Sequence, residues 1–218
     1  MSKYFFLVIT LTSVILIHCA IEPKQVQSTY VVPQEKCELP VWDIGDYWVF
    51  QYNDKNWWSH KVVRVENDLY IIQNPNDKYA YGYDTKSLHL KVYIDSEGKK
   101  VIPQTESGLS YDFPLYVGRK WSKTLQGILT DNRKQDYLYT FQVMSFEKII
   151  VRAGAFRAFK IECERNVIGS GNTAISHVWY SPEVKNMVKF QFVTTSGNKR
   201  IRARDYELAT YKLASTGK

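Results

Sequence analysis

Through most of the chain the apolar residues recur at every second position, and no stretch of the mature part sustains a 3.6-residue period. Leu88, Leu90, Val92 and Ile94 alternate with His89, Lys91 and Tyr93, and Phe159, Ile161 and Cys163 alternate with Lys160, Glu162 and Glu164. Successive side chains of a strand point to opposite faces, so this period describes strands with one buried face. Within the longer segment Tyr137 to Ile150, the side chains of Tyr139, Phe141 and Val143 share a face. Turn residues divide the pattern at Asn53-Asp54, Asn67-Asp68, Asn74-Pro75, Asp95-Ser96-Glu97-Gly98, Ala153-Gly154, Gly169-Ser170-Gly171, Ser181-Pro182 and Gly197-Asn198. Between them the sequence predicts roughly ten or eleven strands. Their connections are short, which requires antiparallel neighbours. The longest loop predicted is Pro103 to Asp112.

These elements predict one all-β domain over 42–213, a curved antiparallel sheet or a partly open β-barrel. Residues 20–41, with Pro23, Pro33 and little periodicity, read as a flexible tether, and 214–218 as a short tail. Two sets of landmarks recur in the same order. Ile44-Gly45-Asp46-Tyr47-Trp48 is echoed by Val117-Gly118-Arg119-Lys120-Trp121. Tyr81-Gly82-Tyr83-Asp84-Thr85, followed by Leu90-Lys91, is echoed by Val178-Trp179-Tyr180-Ser181-Pro182, followed one residue out of step by Val188-Lys189. Duplication of a half-domain and coincidence both produce so sparse a match.

The first 19 residues obey a different rule. Lys3 precedes an unbroken run of 14 uncharged residues, Tyr4 to Ile17, and the run stops at His18-Cys19-Ala20. A basic start followed by an apolar stretch of this length is an export signal, shorter than the roughly 17–25 residues that span a bilayer. Leu16-Ile17-His18-Cys19 resembles a bacterial lipobox, with His18 where that pattern has a small residue. The alternative, cleavage after Ala20, meets the same bulky His18 three residues before the cut. Because Cys19 stands directly at the end of the apolar run, it is the expected lipid attachment site. Membrane association through this lipid is the expected partnership, at the outer membrane if the envelope has two. A soluble periplasmic or secreted form is the alternative.

Export changes how the remaining cysteines read. Cys37 and Cys163 could pair in an oxidising compartment or stand as two independent thiols. A bridge would close a loop of more than a hundred residues, worth about 4–5 kcal/mol in the chain-entropy model. No Cys or His lies at ligand spacing from another, so neither a metal nor another cofactor is expected.

Aromatics make up 15% of the chain, with 16 Tyr and 6 Trp, a composition suited to half-buried pleated surfaces. The formal net charge is +7. Arg200, Arg202 and Arg204 alternate with Ile201 and Ala203, which predicts either a solvated outer face or an anion-contacting one. The export signal and the lack of a binding motif argue against nucleic acid. His60, His89 and His177 are isolated in sequence, Asp43 and Asp46 bracket a turn at Gly45, and Gly169-x-Gly171 has no following helix. No catalytic residues are predicted, and the chain is not expected to be an enzyme.

Three motifs go together: Phe113-Pro114-Leu115 leading into Gly118-x-x-Trp121; Val151-x-Ala153-Gly154-x-Phe156-x-x-Phe159-x-Ile161; and Trp179-Tyr180-Ser181-Pro182-Glu183-Val184. They resemble a widespread class of uncharacterised bacterial exported proteins and lipoproteins. The resemblance implies a curved antiparallel sheet related to open barrels that carry lipid, and it supplies no catalytic residues. Two functions follow as expectations. One is an envelope lipoprotein enclosing a lipid or other hydrophobic ligand, with Tyr139, Phe141, Phe159 and Phe190 lining the cavity. The alternative is a structural or interaction protein docking to an envelope assembly through its basic hairpin or exposed aromatics.

Overall fold

The computed structural model describes residues 35–75, 77–101, 110–128, 133–196 and 199–214; the side chains of 128, 193–196 and 199–204 lie outside that description. The first seven strands are β1 (Lys36–Cys37), β2 (Tyr47–Tyr52), β3 (Trp57–Glu66), β4 (Leu69–Gln73), β5 (Ala80–Asp84), β6 (Leu90–Ile94) and β7 (Lys100–Val101). The second seven are β8 (Leu115–Tyr116), β9 (Lys120–Ile128), β10 (Lys134–Val151), β11 (Gly154–Val167), β12 (Thr173–Ser181), β13 (Asn186–Ser196) and β14 (Lys199–Lys212). Among the described residues there is no helix. The turns predicted at Asn53-Asp54 and Asn67-Asp68 separate β2 from β3 and β3 from β4. The three two-residue strands escape a periodicity reading, because two residues cannot display a period.

β1 pairs with β8, and the other twelve strands form one antiparallel sheet in the order β7-β6-β5-β4-β3-β2-β14-β13-β12-β11-β10-β9. The end strands β7 and β9 do not pair, so the sheet is curved but not closed into a barrel. It consists of two six-stranded meanders, β2–β7 and β9–β14, joined where β14 pairs with β2.

Backbone geometry carries the internal repeat from one meander to the other. Gly45 has φ +101 and Gly118 has φ +91, values open mainly to glycine. The Gly45 N–H donates to the Val62 carbonyl, and the Val62 N–H donates to the Asp46 carbonyl. Gly118 and Arg119 repeat both bonds with Val143. Three residues after each glycine a Trp follows: Trp48 faces His60 across its strand pair, and Trp121 faces Phe141. The β3–β4 register shifts after Val62, and the β10–β11 register shifts after Val143. Further along, β5–β6 shifts between Gly82 and Tyr83, and β12–β13 between Trp179 and Tyr180. Past those bulges Tyr83 pairs with Leu90 and Tyr180 with Met187, which removes the one-residue offset seen in the sequence. Matching bulges at matching positions are a property of a duplicated backbone, since a bulge fixes local twist and register.

One face of this sheet is the core. A single cluster runs from Trp48 and Phe50 through Val62 and Tyr70 to Val143, Phe159, Ile161, Val178 and Tyr180. Trp48, Phe50, Tyr180 and Val178 are fully enclosed. Burying a side chain of this size stabilises the fold by roughly 1.5–3 kcal/mol. Across β13, β14, β2 and β3 the rings form a continuous ladder. Phe190 stacks on Tyr206 with centroids 4.9 Å apart, Tyr206 meets Phe50 edge-on at 6.0 Å, and Phe50 stacks on Trp58 at 4.3 Å. The chain between β7 and β9 returns over this face: Tyr111 and Phe113 lie against Tyr180 at 5.1 and 5.5 Å.

Candidate functional site

The four residues predicted to line a cavity belong, among the described residues, to three aromatic groups. Phe141 stacks on Trp121 at 5.0 Å with Tyr139 6.3 Å beyond it, Phe159 packs on Phe146 at 4.4 Å, and Phe190 is part of the Tyr206 ladder. Phe141 does border a depression of about 440 Å³ beside Trp121, Lys120 and Glu162, but it is shallow and open.

A smaller void lies under the first meander. It measures about 230 Å³, and its walls are Trp58 and His60 of β3, Tyr83 of β5, Tyr206 of β14, Trp42 before β2, and Tyr111 of the returning segment. Leu88, Asn186 and Met187 complete it. Each wall is held from behind. Trp42 Nε1 donates to the Lys185 carbonyl at 2.8 Å and sits 5.4 Å from Tyr70 and 5.8 Å from Tyr83. Trp58 is backed by Phe50, and the Tyr206 hydroxyl donates to Met187 Sδ at 3.5 Å. Asn186 Oδ1 accepts the Met187 N–H at 2.8 Å.

One polar group among these residues lacks a partner among the described residues: Trp58 Nε1, which is buried. His60 lies 4.6 Å from Trp58 and farther from Tyr81 and Tyr83, at 5.9 and 6.0 Å. Burial pushes its imidazole down to about 4, so the ring is neutral at physiological pH. Burial also pushes the Tyr83 and Tyr111 hydroxyls upward, which keeps them protonated. Among the described residues no carboxylate, lysine or arginine lines the void. Sequence reading passed over Trp58 and Tyr206 and treated His60 as an isolated strand histidine. One signal was available: His60 occupies the position at which the second meander has Phe141.

Other polar clusters lie apart from this void. Asp46 is fully buried; its Oδ2 accepts the Asp43 N–H at 3.0 Å, its Oδ1 accepts the Ala214 N–H at 2.7 Å, and Lys185 Nζ stands 3.6 Å away. Lys185 also reaches Asp43 at 2.8 Å, so the acidic turn at Gly45 clamps the β12–β13 turn and the end of β14 together. Ser110 Oγ lies 2.6 Å from His89 Nε2, and the same nitrogen is 3.1 Å from the Tyr111 carbonyl. His177 pairs with Glu162 at 3.0 Å on the opposite face, next to Trp179, whose Nε1 donates to Glu147 at 2.9 Å. Among the described residues no three His, Cys, Asp or Glu side chains gather as metal ligands.

Cys37 and Cys163 are both free and buried, so the pairing considered from sequence is not formed. Cys37 sits in the small β1–β8 pair and Cys163 faces Phe141 and Ser176 in the large sheet. Burial pushes both thiols up to about 11. Cys19 lies outside the described residues, as do the side chains of Arg200, Arg202 and Arg204. Their backbone belongs to β14, where Arg204 pairs with Phe192 and Arg202 with Thr194.

No protein-family model and no curated protein matches the chain. Solved structures with a likeness to it include the hypothetical lipoprotein YmcC of Escherichia coli K12, at 8% identity and a TM-score of 0.46, covering 76% of this chain and 83% of that one. A lipoprotein of Parabacteroides distasonis shows 16% identity and a TM-score of 0.45, covering 82% of this chain and 100% of that one. An exported protein of Bacteroides fragilis with a YmcC-like fold shows 13% identity and a TM-score of 0.39, over 81% and 99%.

Proposed function

We propose that the mature chain is an envelope lipoprotein held to a membrane through Cys19, and that its β domain is a non-catalytic binding module whose cavity receives a ring-sized group. The observation that carries the binding reading is the void of about 230 Å³ walled by Trp42, Trp58, Tyr83, Tyr111 and Tyr206. It exceeds the roughly 150 Å³ of an apolar cavity that takes up benzene, and falls short of the roughly 300–1,000 Å³ of sites for larger ligands. A ring, or one segment of a larger hydrophobic ligand, matches this volume. The apolar run that stops at Cys19 supports the anchor.

Two measurements test the two halves of this reading. Intact-mass analysis of the membrane fraction should show an acylated chain beginning at Cys19, and Cys19→Ala should move the protein to the soluble fraction. An unacylated chain that remains membrane-free in the wild type refutes the anchor. Ligand-observed saturation-transfer NMR on the purified protein should detect toluene in the cavity; no transfer to any single-ring compound refutes the binding module.

A second reading, docking to an envelope partner, draws on Val41 and Ile44. They are 66% and 60% exposed in the segment that leads into β2. Replacing both with Ser should abolish co-purification of a stoichiometric partner if docking is the role.

A further inference from the structure

The large aliphatic side chains most exposed among the described residues are Ile150, Val41 and Ile44, at 76%, 66% and 60%. They come from separate stretches of chain, yet polar contacts tie those stretches to one end of the domain. Ile150 pairs with Ala155 in the β10–β11 hairpin, two residues from Arg157. The Arg157 N–H donates to Glu183 Oε1 at 3.2 Å, which joins the hairpin to the β12–β13 turn. From that turn Lys185 Nζ reaches Asp43 Oδ2 at 2.8 Å, and the Lys185 carbonyl accepts from Trp42 Nε1, also at 2.8 Å. Val41 and Ile44 flank these last two residues. Ile168, by contrast, follows the far end of β11.

The same end receives the chain from Cys19. Glu35, the first described residue, stands 3.6 Å from Arg157 Nη1. Fully extended, the stretch from Cys19 to Glu35 covers at most about 55 Å. β11 has 14 residues and is therefore about 45 Å long, so presenting the Ile168 end to a membrane would use up nearly all of that reach. Presenting the Ile150 end uses little of it. Arg152 lies 3.1 Å from Glu207, and Arg157 has Glu35 and Glu183 beside it, so this end offers apolar surface more than net charge. A protein partner would have to match the shape of all three projections at once, whereas a fluid hydrocarbon boundary accepts them where they stand.

We infer that this end of the domain docks on the lipid bilayer that holds the Cys19 anchor, with Val41, Ile44 and Ile150 dipping into the boundary between headgroups and acyl chains. The inference rests on the anchor proposed above and adds an orientation to it. The tip of the β10–β11 hairpin and the turn at Gly45 face the membrane, and the β11–β12 turn at Ile168 points away.

The test places an environment-sensitive dye on Ile44→Cys, Ile150→Cys or Ile168→Cys, one at a time. The full acylated protein is reconstituted into protein-free vesicles of phosphatidylethanolamine and phosphatidylglycerol. Cys37 and Cys163 are buried and do not compete for the dye. Lipid carrying a nitroxide on its acyl chain should quench the dyes at 44 and 150 at least about threefold more than the dye at 168. Raising the salt to about 0.5 M should preserve that contrast, because apolar contact is not screened. Equal quenching at the three positions, no quenching at 44 and 150, or a contrast lost at high salt would each overturn the docking and leave the anchor standing. Dyes at 44 and 150 that stay unquenched on these vesicles but are shielded in native membranes would overturn it in favour of an envelope protein. Intact mass judges the anchor separately. If the wild type proves unacylated, the labelled chains on a Cys19→Ala background, mixed with the same vesicles, decide the docking by the same comparison.

Discussion

Removing the Asp46 carboxylate should be among the most damaging single changes in the domain. Its side chain has no solvent exposure and serves two backbone donors, the N–H of Asp43 at 3.0 Å and that of Ala214 at 2.7 Å, besides Lys185 Nζ at 3.6 Å. Hydrogen bonds to a charged acceptor contribute about 1.5–3 kcal/mol each. Asp46→Ala leaves both N–H groups unanswered, while Lys185 retains Asp43 at 2.8 Å. The expected loss is therefore about 3–5 kcal/mol, in the range found when one member of a buried charged pair is deleted. Asp46→Asn keeps one carbonyl acceptor and turns an NH2 toward the other donor, so it should lose about half as much. Urea titration followed by tryptophan fluorescence measures this as a fall in midpoint at unchanged m. A loss below about 1 kcal/mol for Asp46→Ala would refute the clamp, because its geometry leaves no other acceptor for these donors at such a cost.

Four further outcomes follow. Because His60 takes a proton near pH 6.5 when unfolded and only near 4 when folded, the unfolded state binds more protons between those values; stability should be full above pH 6.5 and fall as the pH drops toward 4, by about 2–3 kcal/mol. His60→Phe should flatten that part of the pH profile in thermal unfolding and raise Tm at pH 5. Gly45→Ala and Gly118→Ala should each cost about 1–2 kcal/mol through positive φ alone, since an added Cβ meets ordinary contact at the first site and open space at the second; unequal effects in urea titration would argue against equivalent turns. Gly82→Ala should cost about 1–3 kcal/mol by overpacking, because its Cβ would lie 2.5 Å from Val92 Cγ1. Cys37 and Cys163, held as protonated thiols by burial, should resist a thiol-reactive dye at pH 8 until denaturant is added.

Much of the architecture was legible in the sequence because strands announce themselves by period. The alternation around Leu90, Val92 and Ile94 and the breaks at Asn67-Asp68 and Ser181-Pro182 place elements with little ambiguity. Asn67 and Asp68 take φ +50 and +59, which suits the primed hairpin turn between β3 and β4. The site was harder to see. Period shows which residues face inward but not which of them touch, so it does not reveal that Phe141 stacks on Trp121, Phe159 packs on Phe146 and Phe190 stacks on Tyr206. The residues that surround the void, Trp42, Trp58, His60, Tyr111 and Tyr206, come from segments far apart in the chain, and pairing order alone brings them together. Duplication was the signal that linked both levels, and it became decisive only when the bulges after Val62 and Val143 aligned the two halves.

The seam between β14 and β2 makes the sheet a rotated copy of its own chain order. Tyr47 pairs with Lys212, and the Ala214 N–H rests on Asp46, so the polypeptide enters and leaves its main sheet at one spot. Opening the chain between β7 and β9 and linking β14 to β2 across this spot would keep every strand of the main sheet beside its present neighbours, so the order of pairing survives such a circular permutation.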